Sequence, residues 1–285
     1  MNREMEKLYK AFVSYLEKSK SPHTARLYGR SVREFLESLD KPLDRLTALD
    51  ISAWQDKLLE RVGSRSVETM SAALKTFFKA IGRYDMAMAV PSVRYEAKPI
   101  NWLPEEKVIK VIEAAYPGLH QAVLATGYEL ALRIGEIVLL ERRWFNPKAR
   151  VCKIRRLKRK GSIPAEDVLP MREYFAEKLQ AYLESREDKL KAMFVSYGKF
   201  MAEEPRPITA RGVDYIYHVT AKRVGLDTRK YSWHAFARHS RITNYAIQLM
   251  KETGSADPLK IMKFAGHVNI KSTMVYVHLV PTLLT

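Results

Sequence analysis

Ten lysines and arginines crowd the nineteen residues from Arg142 to Lys160, with no acid among them. They are Arg142, Arg143, Lys148, Arg150, Lys153, Arg155, Arg156, Lys158, Arg159 and Lys160. Cations this dense repel one another unless something negative lies near. Neutralising phosphates and releasing their condensed counterions makes such a stretch favourable. The plainer alternative is a solvated basic hairpin. Phosphate binding is the better reading, because the run falls in a hairpin pattern and not in a tail. Arg133 lies between Leu132 and Ile134, where packing can hold it. Glu136 follows at a spacing that lets a carboxylate orient the guanidinium, although a structural ion pair would look the same. Further on stand His234-Ala-Phe-Ala-Arg238-His239 and Gly266-His267, with Tyr276 nine residues after His267. Zinc is the first rival for a histidine cluster, and it is weak. His234 and His239 are off a common helical face, Cys152 is the lone cysteine, and there is no HExxH. No metal site is expected.

The elements that must position these groups are mostly helical. Over the first ninety residues apolar side chains recur at helical spacing in four runs. The first carries Leu8, Phe12 and Leu16, and the second Val32, Phe35 and Leu36 behind a Ser21-Pro22 start signal. The third carries Ile51, Trp54 and Leu58, and the fourth Val67, Leu74, Phe77 and Phe78, closed by Gly82. Four short amphipathic helices predict a compact bundle over residues 1–86. Residues 87–100, punctuated by Pro91 and Pro99, read as a linker. Residues 101–285 predict a second, mainly α domain with a small antiparallel hairpin. Its strands are centred on Val151-Cys152-Ile154 and Val168-Leu169, with Gly161 in the turn between them. Ser232 should precede a long helix running to about Glu252.

The chain has 285 residues, which suits two ordinary domains. Hydrophobic residues make up 47%, so a packed core is expected and wholesale disorder is not. Lys and Arg number 49 against 32 Asp and Glu, and a net charge of +17 points to a polyanionic partner. A single cysteine excludes an internal disulfide framework and fits a reducing compartment. No apolar run reaches the roughly 18 residues of a membrane span. The N-terminal stretch lacks the apolar core of a secretory signal, so an intracellular protein is expected.

Taken in order, Leu132-Arg133-Ile134-Gly135-Glu136, the basic hairpin with Lys160-Gly161, Arg238-His239, and Gly266-His267 followed by Tyr276 resemble the tyrosine site-specific recombinases. These are the phage integrase and Xer-type enzymes. Any one motif is weak, but four in order over nearly the whole chain are specific. The helical first part, with Ser21-Pro22-His23-Thr24 before an aromatic-rich helix, is similar to that family's core-binding domain.

The resemblance implies a two-domain DNA clamp that cuts and rejoins DNA through a 3′-phosphotyrosine. Tyr276 would be the nucleophile; a buried helix aromatic is the alternative. Arg133 and Arg238 would hold the phosphate, and His267 would hydrogen-bond a nonbridging oxygen, unless the Gly-His pair simply caps a helix. Lys160 would protonate the departing 5′-oxygen, with Lys158 as its alternative in a shifted register. Arg142, Arg143, Lys153, Arg155, Arg156, Lys158 and Arg159 would contact DNA. Glu136 and His239 would support the site from behind. One feature departs from the family. A histidine or lysine usually stands three residues before the second arginine, where this chain has Ala235, and His234 is one residue earlier. On a regular helix that turns the side chain by about 100°. From a non-helical turn before the helix His234 would still reach the site as a catalytic acid/base; from the helix itself it would not, and that group would be missing. The implied partners are double-stranded DNA target sites and three further copies of the chain in a synaptic tetramer, in the cytoplasm at the nucleoid. The implied chemistry uses no cofactor. A type IB topoisomerase that only relaxes DNA, and a DNA-binding relative with little catalytic power, are the alternatives.

Overall fold

The computed structural model describes residues 1–96, 99–157, 166–197 and 204–284. The chain divides into two compact units, Met1–Lys98 and Pro99–Thr285.

In the first unit the start signals work as side-chain caps. Asn2 accepts the Met5 amide at 2.8 Å and opens α1 (Arg3–Ser19). The Ser21 hydroxyl accepts the Thr24 amide, with Pro22 in the first turn of α2 (Pro22–Glu37). Thr47 and Asp50 cap α3 (Ala48–Leu59), and α4 (Ser64–Ala80) ends in a turn with Gly82 at φ +80°. The apolar stripes meet in one core. Phe12 meets Phe77 edge-on, and Phe35 meets Trp54 in the same way, both pairs at 5.2 Å between ring centres. The expected four helices are followed by a fifth, α5 (Tyr84–Ala89). Met86, Ala87 and Val90 pack into this core, so residues read as the start of the linker belong to the bundle. Six residues are too few to show a helical period, which is why they escaped notice.

The second unit is built around α7 (Leu119–Glu129), which is buried on every face from Ala122 onward. Packed around it are α6 (Glu105–Glu113), α9 (Glu173–Glu184) and α10 (Ala210–Arg223). Against it also lies a π-helical turn, His234–His239, which leads into α11 (Ser240–Thr253). Between α8 (Ile134–Ile137) and α9 runs an antiparallel sheet of β1 (Phe145–Asn146), β2 (Val151–Arg155) and β3 (Glu166–Pro170). Cys152 pairs with Leu169 and Ile154 with Asp167. Cys152 and Ile154 face the core, and Lys153 and Arg155 alternate outward. A second pair, β4 (Val195–Ser196) and β5 (Arg206–Pro207), follows α9. The chain then runs through α12 (Pro258–Ala265), α13 (Lys271–Leu279) and α14 (Pro281–Leu284). Ion pairs to one buried carboxylate tie these elements together. Glu129 at the end of α7 takes Arg172 in a forked contact and Arg241 of α11 at 3.2 Å. No helix among the described residues is long and apolar enough to cross a membrane.

Candidate active site

The site is assembled from four separate turns of the second unit. The first is the break between α7 and α8. The Leu132 amide bonds back to the Gly127 carbonyl and the Ala131 amide to the Tyr128 carbonyl. This is a Schellman closure, with Ala131 at φ +50° where glycine is usual. A non-glycine residue held there is strained by about 1 kcal/mol or more, so surrounding contacts must hold it. Arg133 then caps α8. Its amide and its guanidinium both bond the Glu136 carboxylate, at 3.0 and 2.8 Å. Glu136 is buried, and Arg133 keeps an exposed edge.

The second turn is the π segment. The Ser240 amide reaches the Ala235 carbonyl, five residues back, so one more residue fits into the turn than in an α-helix. This is where the histidine was out of step with the family. The wider turn absorbs the extra residue, and the His234 ring meets the His239 ring edge-on at 4.5 Å between centres. Trp233 ties this turn to the first one. Its indole N–H donates to the Leu132 carbonyl at 3.2 Å, and its ring lies where a Cβ on Gly127 would stand at 2.5 Å. Arg238, 1% exposed, donates to the carbonyls of Ala131 (2.8 Å) and Ala265 (2.6 Å). It thereby joins the first turn to the end of α12.

The third turn is Gly266-His267. Gly266 closes α12 at φ +62°, and a Cβ there would meet Arg156 Nε at 2.6 Å. Both the backbone conformation and the close approach of Arg156 require glycine. His267 follows, with Nδ1 2.9 Å from the Thr273 hydroxyl. The fourth element is α13, which carries Tyr276, 3% exposed. The phenol lies between two imidazoles. The His267 ring stacks on it with centres 6.0 Å apart, and His239 Nδ1 is 2.7 Å from its oxygen.

Charge explains the chemistry of this pocket. Arg156 is fully buried, with Nε 3.1 Å from Asp167 and Nη2 2.9 Å from the Phe264 carbonyl. Its Nη1 has no hydrogen bond among the described residues and lies 3.5 Å from Glu136. Among the described residues, Arg133 and Arg156 share Glu136 and Arg156 also meets Asp167, whereas Arg238 is held by the carbonyls of Ala131 and Ala265. Counting the described residues alone, three guanidiniums stand beside two carboxylates, an excess of one positive charge. The titrating groups respond to it. Burial and the fields of Arg133 and Arg156 push Arg238 down from the usual arginine range. Burial and then Arg238 lower His239 to about 4. Burial and then Arg238, Arg133 and Arg156 lower His267 to about 3. Burial raises Tyr276 to about 12, against the opposing pull of Arg238 and Arg133. The pocket therefore holds neutral histidines, a protonated phenol and an unmatched cation, which suits one phosphodiester.

Of the residues singled out from the sequence, Arg133, Glu136, Arg238, His239, His267 and Tyr276 meet in this one pocket, with exposed His234 against His239. Lys158, Arg159 and Lys160 lie outside the described residues. The basic run is not uniform. Arg143 and Arg155 are exposed, and Lys153 pairs with Glu166 at 2.6 Å. Two of the expected DNA contacts point inward instead. The Arg142 guanidinium donates to the carbonyls of Leu183 and Asp188, closing the end of α9. Arg156 lies beneath Gly266. Period two along β2 gave the signal for Arg156, because it continues the buried face of Cys152 and Ile154. Nothing comparable in the sequence marked Trp233 or Ala131.

The profile of the Phage integrase family matches residues 101–282, and that of the phage integrase N-terminal SAM-like domain matches residues 9–83. Tyrosine recombinase XerA of Thermococcus kodakarensis is 25% identical over 277 residues, which cover 96% of this chain and 91% of the relative. Tyrosine recombinase XerC of Halalkalibacterium halodurans is 25% identical over 289 residues, covering 94% and 92%. Among solved structures, XerA recombinase superposes at a TM-score of 0.52 with 22% identity, over 98% of this chain and 96% of the other. A lambda integrase tetramer bound to a Holliday junction superposes at 0.71 with 14% identity, over 95% and 76%. These structural likenesses speak for the fold. The family profile covers well over half the chain, and the chain belongs to the phage integrase family.

Proposed function

We propose that this protein is a site-specific DNA recombinase that cuts and rejoins DNA through a 3′-phosphotyrosine on Tyr276. What supports this most is the buried phenol set beside a guanidinium cluster that, among the described residues, carries one positive charge in excess. In cleavage the Tyr276 oxygen bonds to the scissile phosphorus, the bond from phosphorus to the 5′-oxygen breaks, and that oxygen takes a proton. Arg133 and Arg238 bind the nonbridging oxygens and offset the charge that builds on them. Glu136 and Arg156 keep the first guanidinium in place. His267 donates to a nonbridging oxygen, His234 assists from the π turn, and Lys160 supplies the proton to the leaving group. Rejoining is the reverse, with a 5′-hydroxyl as nucleophile. The phosphotyrosine conserves the energy of the broken bond, so the chemistry needs neither ATP nor a metal ion.

The partner is a double-stranded target site. Exposed Arg143 and Arg155 contact phosphates, as do Lys153, Lys158 and Arg159. Four copies would join two duplexes, as in the lambda integrase tetramer on a Holliday junction. The place of action is the cytoplasm, at the nucleoid.

The test is a nicked duplex carrying the target, on which cleavage traps the enzyme. A denaturation-resistant adduct that Tyr276→Phe cannot form is the expected result. A plasmid with two target sites should yield recombined products, and relaxation without recombination would instead support a topoisomerase.

A further inference from the structure

We propose that His239 is the base that takes the phenolic proton from Tyr276 during cleavage and returns it during rejoining. This deepens the reading above and rests on Tyr276 being the nucleophile.

The geometry is direct. Nδ1 of His239 is 2.7 Å from the Tyr276 oxygen, within the range for proton transfer along a hydrogen bond. Among the described residues, no other side chain has a hydrogen bond to that oxygen. His267 faces the same ring, but by stacking, and its Nδ1 is engaged by Thr273. For the phenol to donate, Nδ1 must be the bare nitrogen, so Nε2 carries the hydrogen. The π turn sets this aim. It holds His239 at its end, where the His234 ring meets it edge-on. Swinging the His239 ring away from the phenol would disturb that contact.

A phenol at about 12 cannot supply much phenolate at neutral pH, so the proton must leave as the bond to phosphorus forms. In the free protein the imidazole is a poor acceptor, because burial and the Arg238 charge oppose its protonation. A phosphodiester seated on Arg238 cancels that charge. The base then strengthens when the substrate is in place, and the nucleophile stays protonated when it is not. In the step itself the proton goes to Nδ1 and the tyrosine oxygen pair bonds to phosphorus. The pair of the broken bond leaves on the 5′-oxygen, which takes its proton from Lys160. In rejoining, Nδ1–H returns its proton to the departing tyrosine oxygen.

The test separates proton transfer from positioning. His239→Asn, and His239→Gln as a second variant, should slow adduct formation on the nicked duplex by about 10²- to 10⁴-fold. The same substitutions are then made in a Tyr276→Ala background, with DNA bearing a 3′-p-nitrophenyl phosphate and a 5′-hydroxyl partner strand. Nitrophenolate leaves without a proton, so joining should proceed at the rate of Tyr276→Ala alone. Unimpaired cleavage by both variants overturns the inference. Equal loss of cleavage and nitrophenyl joining also overturns it, since that marks a structural role. Failure of the wild type to form any adduct is a different outcome, and it removes the nucleophile reading along with this one.

Discussion

Gly266→Ala should be far more damaging than the same change at Gly254, although both glycines close helices with a left-handed backbone. Gly254 ends α11 at φ +71°, and a Cβ there meets nothing within 4 Å. Its replacement costs the backbone alone, about 1 kcal/mol. At Gly266 the same strain is joined by a contact of 2.6 Å with Arg156 Nε. That guanidinium is held by Asp167 and the Phe264 carbonyl, inside a closed pocket. Moving it breaks at least one buried, charge-assisted bond, at about 1.5–3 kcal/mol. The sum for Gly266→Ala is about 2.5–4 kcal/mol. For a unit of this size the two changes correspond to melting shifts of roughly 3 °C and 10 °C. Urea titrations of both variants, with m-values compared, give the free energies directly. Gly266→Ala should also slow adduct formation, because Arg156 helps hold Glu136 and through it Arg133. Equal destabilisation of the two variants would refute the claim that Gly266 is required by the approach of Arg156.

The excess positive charge should make the second unit an anion receptor, so sulfate should raise the melting temperature beyond sodium chloride of equal ionic strength. At one hundred times its Kd the gain is about 2.7 kcal/mol, and Arg238→Met should abolish it. Stability should also fall as pH drops below about 6.5, because His239 and His267 have depressed pKa values in the folded protein and the unfolded chain binds more protons in that window. The limit is about 1.4 kcal/mol per pH unit for each histidine, reduced by solvent at these part-buried rings. Urea midpoints at pH 7 and pH 5 measure it, and His267→Gln should flatten the slope. Arg143→Gln and Arg155→Gln should each weaken DNA binding at all sequences and lower the salt slope by about one. Arg142→Gln should leave that slope unchanged and lower the melting temperature, since its guanidinium closes α9.

The helical phases of the first unit were legible because amphipathic stripes of twelve to seventeen residues carry their own period. The chemistry-bearing residues of the second unit were legible as types in order, not as geometry. Arg133 and Arg238 stand 105 positions apart, and no local pattern says that the Ala131 carbonyl joins them. The basic hairpin shows the limit of composition. Its cations look equivalent in a count, yet Arg156 is buried and Arg155 is exposed. Strand alternation, applied residue by residue, separates them.

The position of His234 shows a different limit. Counting turns on an α-helix places it about 100° from where the family keeps its basic residue. That reasoning assumes that the extra residue is carried by the helix as a whole. The protein instead confines it to one turn, between Trp233, tied to the Leu132 carbonyl, and Ser240, whose amide and hydroxyl both bond the Ala235 carbonyl. A π turn is rare and persists where surrounding contacts over-determine it. Here those contacts are the active site's own: Arg238 on Ala131 and Ala265, and His239 on Tyr276. Local strain therefore gathers at the two turns that grip the second arginine. The same carbonyls that relieve it fix the Arg238 guanidinium. Removing residue 235 should relax the turn to a regular α-helix and shift His234 relative to His239, so the deletion should change the rate of cleavage more than the stability of the fold.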